Sequence, residues 1–141
     1  MDFKERVLLK LEEMFEYVNE LQKMLPSEEE EYVENIKDKR ACEKTVELAI
    51  EAVISVISMV VSQEKLGLPQ SEDDLIDLLM KHKILSISIG EKLKEMKGFR
   101  NILVHKYGEV DDKQAYVFLT EELGDFKLFA NEVKKYLKSN S

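Results

Sequence analysis

The amino-acid sequence predicts an all-α protein: one domain over residues 1–141, folded as an up-and-down bundle of four to five helices. The first observation behind this prediction is that five glycines and two prolines leave few turns for a chain of many short strands. The second is that apolar residues recur every three or four positions, which is the period of one helix face. A hydrophobic content of 44% in 141 residues is also enough to bury a core.

The first predicted helix has a narrow apolar seam and ends at Pro26, because proline cannot continue a helix. The seam residues step by four and three positions: Val7, Leu11, Met14, Val18, Leu21 and Leu25. Ser27 and Glu30 then have the spacing of a capping box. We therefore expect the second helix to begin there.

The second helix is predicted to run from about Glu28 to Gln63, charged at its start and apolar around most of its girth at its end. A thin polar stripe interrupts the apolar surface: Lys44, Glu47, Glu51, Ser55, Ser58 and Ser62. Such a helix must be covered on most sides, either as the centre of the bundle or by a second subunit. Glu51 is either a buried partner of Arg100, part of a dimer cleft, or a solvated member of the stripe.

A short third helix is expected to start at Ser71, whose spacing from Asp74 fits an N-terminal cap, and to run through Lys81. Residues 85–89 alternate like a strand, but the sequence offers no convincing partner strand. We therefore interpret them as the start of a fourth helix, in which Gly98 is a weak point.

The fourth helix is expected to end at Gly108, a residue type common just after helix C-termini. Asp111 is then placed to cap a final helix. The apolar residues of that helix recur at helical spacing: Ala115, Leu119, Phe126, Phe129, Val133 and Leu137.

Composition excludes several classes of protein. Cys42 is the single cysteine, so no intrachain disulfide forms, and it is best interpreted as a small buried residue. The apolar run from Ala49 to Val61 is too short to span a bilayer, and the sequence shows no signal peptide, so we expect a cytoplasmic protein without membrane contact. A net charge of -8 argues against a protein that coats nucleic acid non-specifically.

The charge is unevenly distributed along the chain. Residues 81–110 contain seven lysines and arginines but three glutamates, so this region is basic within an acidic protein. The lysines either solvate the outer face of a helix or steer an anionic substrate.

Four chemically capable side chains lie within this basic region: Arg100, Asn101, His105 and Tyr107. On a helix, Asn101 and His105 are one turn apart, whereas Arg100 and Tyr107 differ by about 20 degrees in direction. The two faces adjoin, so all four side chains can border one small pocket.

These residue types suit RNA cleavage without a metal ion. When a ribose 2′-hydroxyl attacks the adjacent phosphorus, the reaction needs a proton acceptor, a proton donor and a cation for the growing charge. His105 can exchange protons near neutral pH, and the Arg100 guanidinium can donate two parallel hydrogen bonds to two phosphate oxygens. One chain supplies one histidine in this segment, so a symmetric dimer would bring two histidines and two arginines to one cleft.

The same spacing also fits a structural role. A histidine at a helix C-terminus interacts with the helix dipole, an arginine pairs with a nearby carboxylate, and a tyrosine ring closes a helix end. His82 is best interpreted as a solvated helix end. The sequence shows no convincing metal-ligand spacing and no glycine-rich phosphate loop, so we predict no metal site and no cofactor.

The segment from Gly98 to Tyr107, followed by Asp111, resembles HEPN-domain toxins of the HepT type, and a looser similarity extends over most of the chain. Their motif is arginine, a polar residue, three further residues, histidine, one residue and tyrosine, and every position is filled here. The resemblance implies a homodimeric HEPN bundle that cuts RNA without metal, with Arg100 and His105 catalytic and Asn101 supporting them.

The resemblance also implies a partner. HepT-like toxins pair with MntA-like antitoxins, small nucleotidyltransferases that transfer AMP from ATP to the motif tyrosine, which is Tyr107 here. AMP on that phenol would add bulk and negative charge close to Arg100. The alternative function is a non-catalytic HEPN module that regulates or delivers substrate to a nucleotidyltransferase.

Overall fold

A computed structural model describes residues 1–105 and 110–140. The described part of the chain is all-helical, which confirms the predicted fold class. It contains α1 (Phe3–Met24), α2 (Glu29–Glu34), α3 (Ile36–Glu64), α4 (Glu72–Lys81), α5 (Ile87–His105), α6 (Asp112–Glu121) and α7 (Gly124–Ser139). The predicted count of four to five helices is wrong, because the second and the last predicted helices are each divided in two.

Helix α1 follows the prediction closely. The Asp2 side chain caps it by accepting a hydrogen bond of 2.8 Å from the Glu5 amide. The seam from Val7 to Leu21 is buried, mainly against α3, whereas Leu25 is half-buried at the C-cap. The apolar seam is therefore a packing face within the chain.

The predicted second helix is interrupted at Asn35. The Asn35 side chain accepts a hydrogen bond of 3.1 Å from the Asp38 amide and so caps α3, which begins at Ile36. The capping box expected at Ser27 and Glu30 is wrong, since α2 begins after Glu28 without a side-chain cap. A short polar side chain that bonds its own backbone favours a helix start over a helix interior, which accounts for the break.

Helix α3 is the central helix of the bundle. It packs on α1, α4 and α5, and its apolar residues are buried within one chain. Length and composition alone would allow α3 to cross a membrane, but 56% of its most apolar stretch is buried inside the bundle, as expected for a core helix. In the polar stripe, Lys44 and the three serines are exposed, whereas Glu47 and Glu51 are half-buried.

Helices α4 and α5 form a hairpin. The Ser71 hydroxyl accepts a hydrogen bond of 3.1 Å from the Asp74 amide, which confirms the predicted cap of α4. At the turn, the amide and hydroxyl of Ser86 each donate to the Glu132 carboxylate of α7 at 2.8 Å. Helix α5 begins at Ile87, so the alternating segment is a turn and helix start, as predicted, and Gly98 lies within the continuous helix.

The predicted final helix is two helices. Asp111 caps α6, as predicted, by accepting hydrogen bonds from the amides of Lys113 (3.0 Å) and Gln114 (3.2 Å). Helix α6 ends at Glu121 and α7 begins at Gly124. The apolar residues that were predicted to form one face of one helix therefore lie on two helices.

Two neighbouring tyrosines, one on α2 and one on α6, differ in whether their hydroxyl groups are hydrogen-bonded. The rings of Tyr32 and Tyr116 lie 5.3 Å apart. The Tyr116 hydroxyl donates to the Pro26 carbonyl at 2.7 Å, whereas the buried Tyr32 hydroxyl has no hydrogen-bond partner among residues 1–105 and 110–140. A buried polar group without a partner costs free energy that a bonded one does not.

We expect Tyr32→Phe to raise the free energy of unfolding by about 1 kcal/mol and Tyr116→Phe to lower it by about 1 kcal/mol. Urea denaturation of the two variants beside the original chain measures both changes. Loss of stability in Tyr32→Phe equal to that in Tyr116→Phe would show that the Tyr32 hydroxyl is satisfied.

Candidate functional site

The predicted site lies at the C-terminal end of α5. Arg100, Asn101 and His105 belong to the last turns of that helix. Tyr107 and Gly108 lie outside the described residues, so their predicted roles stay predictions. The ring of Phe99 stacks on that of Phe118 from α6 at 4.3 Å, which anchors this end of α5 beside Arg100.

The Arg100 guanidinium is mostly buried and paired with a carboxylate. Its side chain is 13% exposed, and its Nη2 donates to Oε1 of Glu72, the first residue of α4. Its Nε is buried and has no hydrogen-bond partner among the described residues. The expected pairing of this arginine with a nearby carboxylate is therefore observed, but the hydrogen-bonded partner is Glu72.

Glu51 also lies close to Arg100. Burial and the neighbouring Glu47 raise the pKa of Glu51 above its ordinary value, and the positive charge of Arg100 opposes that rise. Glu51 is half-buried on the central helix, so it is more than a solvated member of the polar stripe. Arg100 is thus paired with Glu72 of α4 and interacts electrostatically with Glu51 of α3.

The ion pair between Arg100 and Glu72 is one of three ion pairs that the described residues form between α4 and α5. Lys94 Nζ lies 2.6 Å from Asp77 Oδ1, and Lys97 Nζ lies 3.0 Å from Asp73 Oδ1. Both pairs are partly exposed, so each adds little stability, but they match charged groups along the two packed helices. The basic region therefore faces an acidic helix, and a large part of its charge is neutralised within the protein.

His105 and Asn101 differ in exposure. His105, the last residue of α5, is exposed, whereas Asn101, one turn earlier, is half-buried. Ile102 and Val104, next to them in the chain, are 40% and 41% exposed, as are several other large apolar side chains of this protein. The end of α5 thus presents a histidine together with apolar surface.

The remaining candidates lie elsewhere or are inert. His82 is exposed at the end of α4, as predicted for a solvated helix end. Cys42 is buried, and burial raises the pKa of its thiol to about 11, so it is a protonated packing residue at neutral pH. Within residues 1–105 and 110–140, no group of three histidine, cysteine or acidic side chains is arranged to hold a metal ion.

Sequence reasoning missed Glu72. It was given no role, although it lies between the predicted cap Ser71 and Asp74. Arg100 and Glu72 are 28 residues apart, so only the packing of α4 on α5 shows that they meet.

Comparison with known proteins gives one family and several relatives. A family model described as "Ribonuclease HepT-like" matches residues 14–133, which include the motif from Arg100 to Tyr107. The tRNA nuclease HepT of Aphanizomenon flos-aquae is 23% identical over 128 residues, which cover 91% of this chain and 87% of that protein. The mRNA nuclease HepT of Shewanella oneidensis is 33% identical over 84 residues, which cover 60% of this chain and 63% of that protein.

A solved structure has the same fold. The tri-AMPylated HEPN toxin of Shewanella oneidensis, in complex with an MNT antitoxin, matches with a TM-score of 0.87. The match covers 96% of this chain and 98% of that one at 23% sequence identity. At this identity the likeness shows the HEPN fold.

Proposed function

Because this chain belongs to the HepT-like ribonuclease family, we propose that it is an endoribonuclease toxin that cuts RNA without a metal ion at Arg100 and His105. The observation that carries the proposal is the family match over residues 14–133, with every motif position from Arg100 to Tyr107 filled. The fold supports it, since α5 brings Arg100, Asn101 and His105 to one helix end.

In the proposed reaction, the 2′-hydroxyl of the RNA attacks the adjacent phosphorus, and the bond from phosphorus to the 5′-oxygen of the next nucleotide breaks. His105 transfers a proton at one of these two oxygens, because an imidazole exchanges protons near neutral pH. Arg100 stabilises the charge that grows on the non-bridging oxygens. Asn101, one turn before His105, supports the site by orienting the imidazole or a phosphate oxygen.

A homodimer completes the proposed site. The reaction needs a proton acceptor and a proton donor, and each chain contributes one histidine to the motif. The exposed side chains of Ile102 and Val104 beside His105 provide apolar surface for a second copy of the chain. The dimer would thus carry two copies of Arg100 and His105 at one cleft, in the cytoplasm, where its RNA substrates are.

The proposed antitoxin is a cognate MntA-like nucleotidyltransferase. The Shewanella oneidensis toxin was solved AMPylated and in complex with an MNT antitoxin, which supports the same regulation here. The phenol oxygen of Tyr107 would attack the α-phosphorus of ATP, losing its proton while pyrophosphate leaves. The product carries a phosphodiester and an adenosine two residues after His105, where they would block RNA and compete for Arg100.

Expression in a bacterial host tests the proposed function. The chain alone is expected to arrest growth, and co-expression of the nucleotidyltransferase from a neighbouring gene is expected to restore it. Cellular RNA extracted before and after induction should show new cleavage products only when the toxin is expressed alone. Normal growth and intact RNA without the partner would favour the alternative, a non-catalytic subunit of a nucleotidyltransferase.

A further inference from the structure

We infer that Glu72 is a positioning residue for RNA cleavage, which holds the Arg100 guanidinium in the orientation in which it meets the phosphate. This inference rests on the proposed function of Arg100. Glu72 lies outside the motif and on another helix, so it acts through the arginine and does not itself touch the reacting atoms.

The first argument is the geometry of the pair. Arginine has a long side chain with several rotatable bonds, and Arg100 lies within two turns of the end of α5. Its hydrogen bond to Glu72 and its burial restrict that freedom, since only 13% of the side chain is exposed. A guanidinium held before substrate arrives loses less entropy when it stabilises the transition state.

The second argument is that Glu72 is itself fixed. It is the first residue of α4, directly after the Ser71 cap. The next residue, Asp73, pairs with Lys97 of α5 at 3.0 Å, and α4 packs on α5 along the hairpin. The position of the Glu72 carboxylate is therefore fixed relative to α5, which carries the motif. Through its hydrogen bond, the carboxylate also fixes the position of the Arg100 guanidinium.

A carboxylate beside a catalytic arginine can position the guanidinium, or it can compete with the phosphate for the N–H donors of the guanidinium. The guanidinium has five N–H donors. The hydrogen bond to Glu72 uses Nη2, whereas the buried Nε has no partner among the described residues. Because Nε is closed to solvent, the donors that can meet phosphate oxygens while Glu72 stays bound are the other N–H groups of the two terminal nitrogens.

The experiment compares steady-state cleavage of one RNA oligonucleotide by the Glu72→Ala, Glu72→Gln and Asp77→Asn variants of this chain. We expect Glu72→Ala to lower kcat by roughly 10- to 100-fold with little change in KM, as for a misplaced catalytic group. Glu72→Gln keeps an oxygen that accepts from Arg100, so its kcat should lie between those of Glu72→Ala and the original chain. Asp77→Asn is the matched control, because it weakens another α4–α5 pair away from the motif, and it should retain kcat.

Each outcome decides the inference. An unchanged kcat in Glu72→Ala, or a fall in kcat in Asp77→Asn as large as in Glu72→Ala, overturns positioning. A rise in kcat/KM would show that Glu72 competes with phosphate, which also overturns it. If circular dichroism shows that Glu72→Ala is unfolded, Glu72→Gln decides instead, and its full activity rejects the role.

Arg100→Ala in the same assay separates this inference from the proposed function. An inactive Arg100→Ala beside a fully active Glu72→Ala rejects only the role of Glu72. A fully active Arg100→Ala rejects the catalytic role of the arginine, and with it the premise of the inference.

Discussion

His105→Ala and Arg100→Ala are each expected to lower the rate of RNA cleavage by about 10²- to 10⁴-fold, the range of a lost proton-transfer group or a lost charge-stabilising donor. The first variant removes the group proposed to move a proton in each half of the proposed dimer. The second removes the cation proposed to bind the phosphate. Initial rates on a defined RNA oligonucleotide measure both losses.

His82→Ala is the matched control for this prediction. His82 is the other histidine of the chain, is exposed at the end of α4 and lies outside the motif. It should therefore cleave RNA at the original rate. Circular dichroism and size-exclusion chromatography should show unchanged helix content and oligomeric state in all three variants, and full activity in His105→Ala would refute the catalytic assignment.

Tyr107→Phe is expected to abolish AMP transfer, because phenylalanine keeps the ring and lacks the oxygen that attacks ATP. After incubation with the cognate nucleotidyltransferase and ATP, intact-mass spectrometry should show AMP on the original chain and none on Tyr107→Phe. The variant should also continue to cut RNA in the presence of the active partner, because it lacks the charged, bulky modification that is proposed to block the cleft.

Tyr17→Phe is a suitable control for the modification, since Tyr17 is partly exposed on α1 and its hydroxyl bonds the nearby Glu13 carboxylate. It should gain AMP as the original chain does. An equal gain of AMP by Tyr107→Phe would place the modification on another residue.

Local signals in the sequence predicted a large part of the fold. Helical period identified the buried seam of α1, and the caps at Ser71 and Asp111 form the predicted hydrogen bonds. The break at Asn35 was missed because apolar and charged residues on both sides continue a helical pattern, while one side-chain bond decides the boundary. The division between α6 and α7 was missed because the two apolar faces share one period across Glu122 and Leu123.

In the site, too, features that depend on residues close in sequence were predicted, whereas contacts between distant residues were not. Arg100, Asn101 and His105 are close in sequence, so helical geometry alone predicted that they share one helix end. The surroundings of Arg100 depend on packing: Glu72 comes from α4 and Glu51 from α3. The basic character of residues 81–110 was overestimated for the same reason, since a count along the chain omits the acidic helix that packs against it.

The most direct test of the central claim is cleavage of a single-stranded RNA by the purified chain in excess EDTA, with His105→Ala beside it. We expect the original chain to cut the RNA and leave 2′,3′-cyclic phosphate ends, because the 2′-hydroxyl is the proposed nucleophile, and we expect His105→Ala to leave the RNA intact. Cleavage that requires an added divalent metal ion, or equal cleavage by His105→Ala, would contradict it.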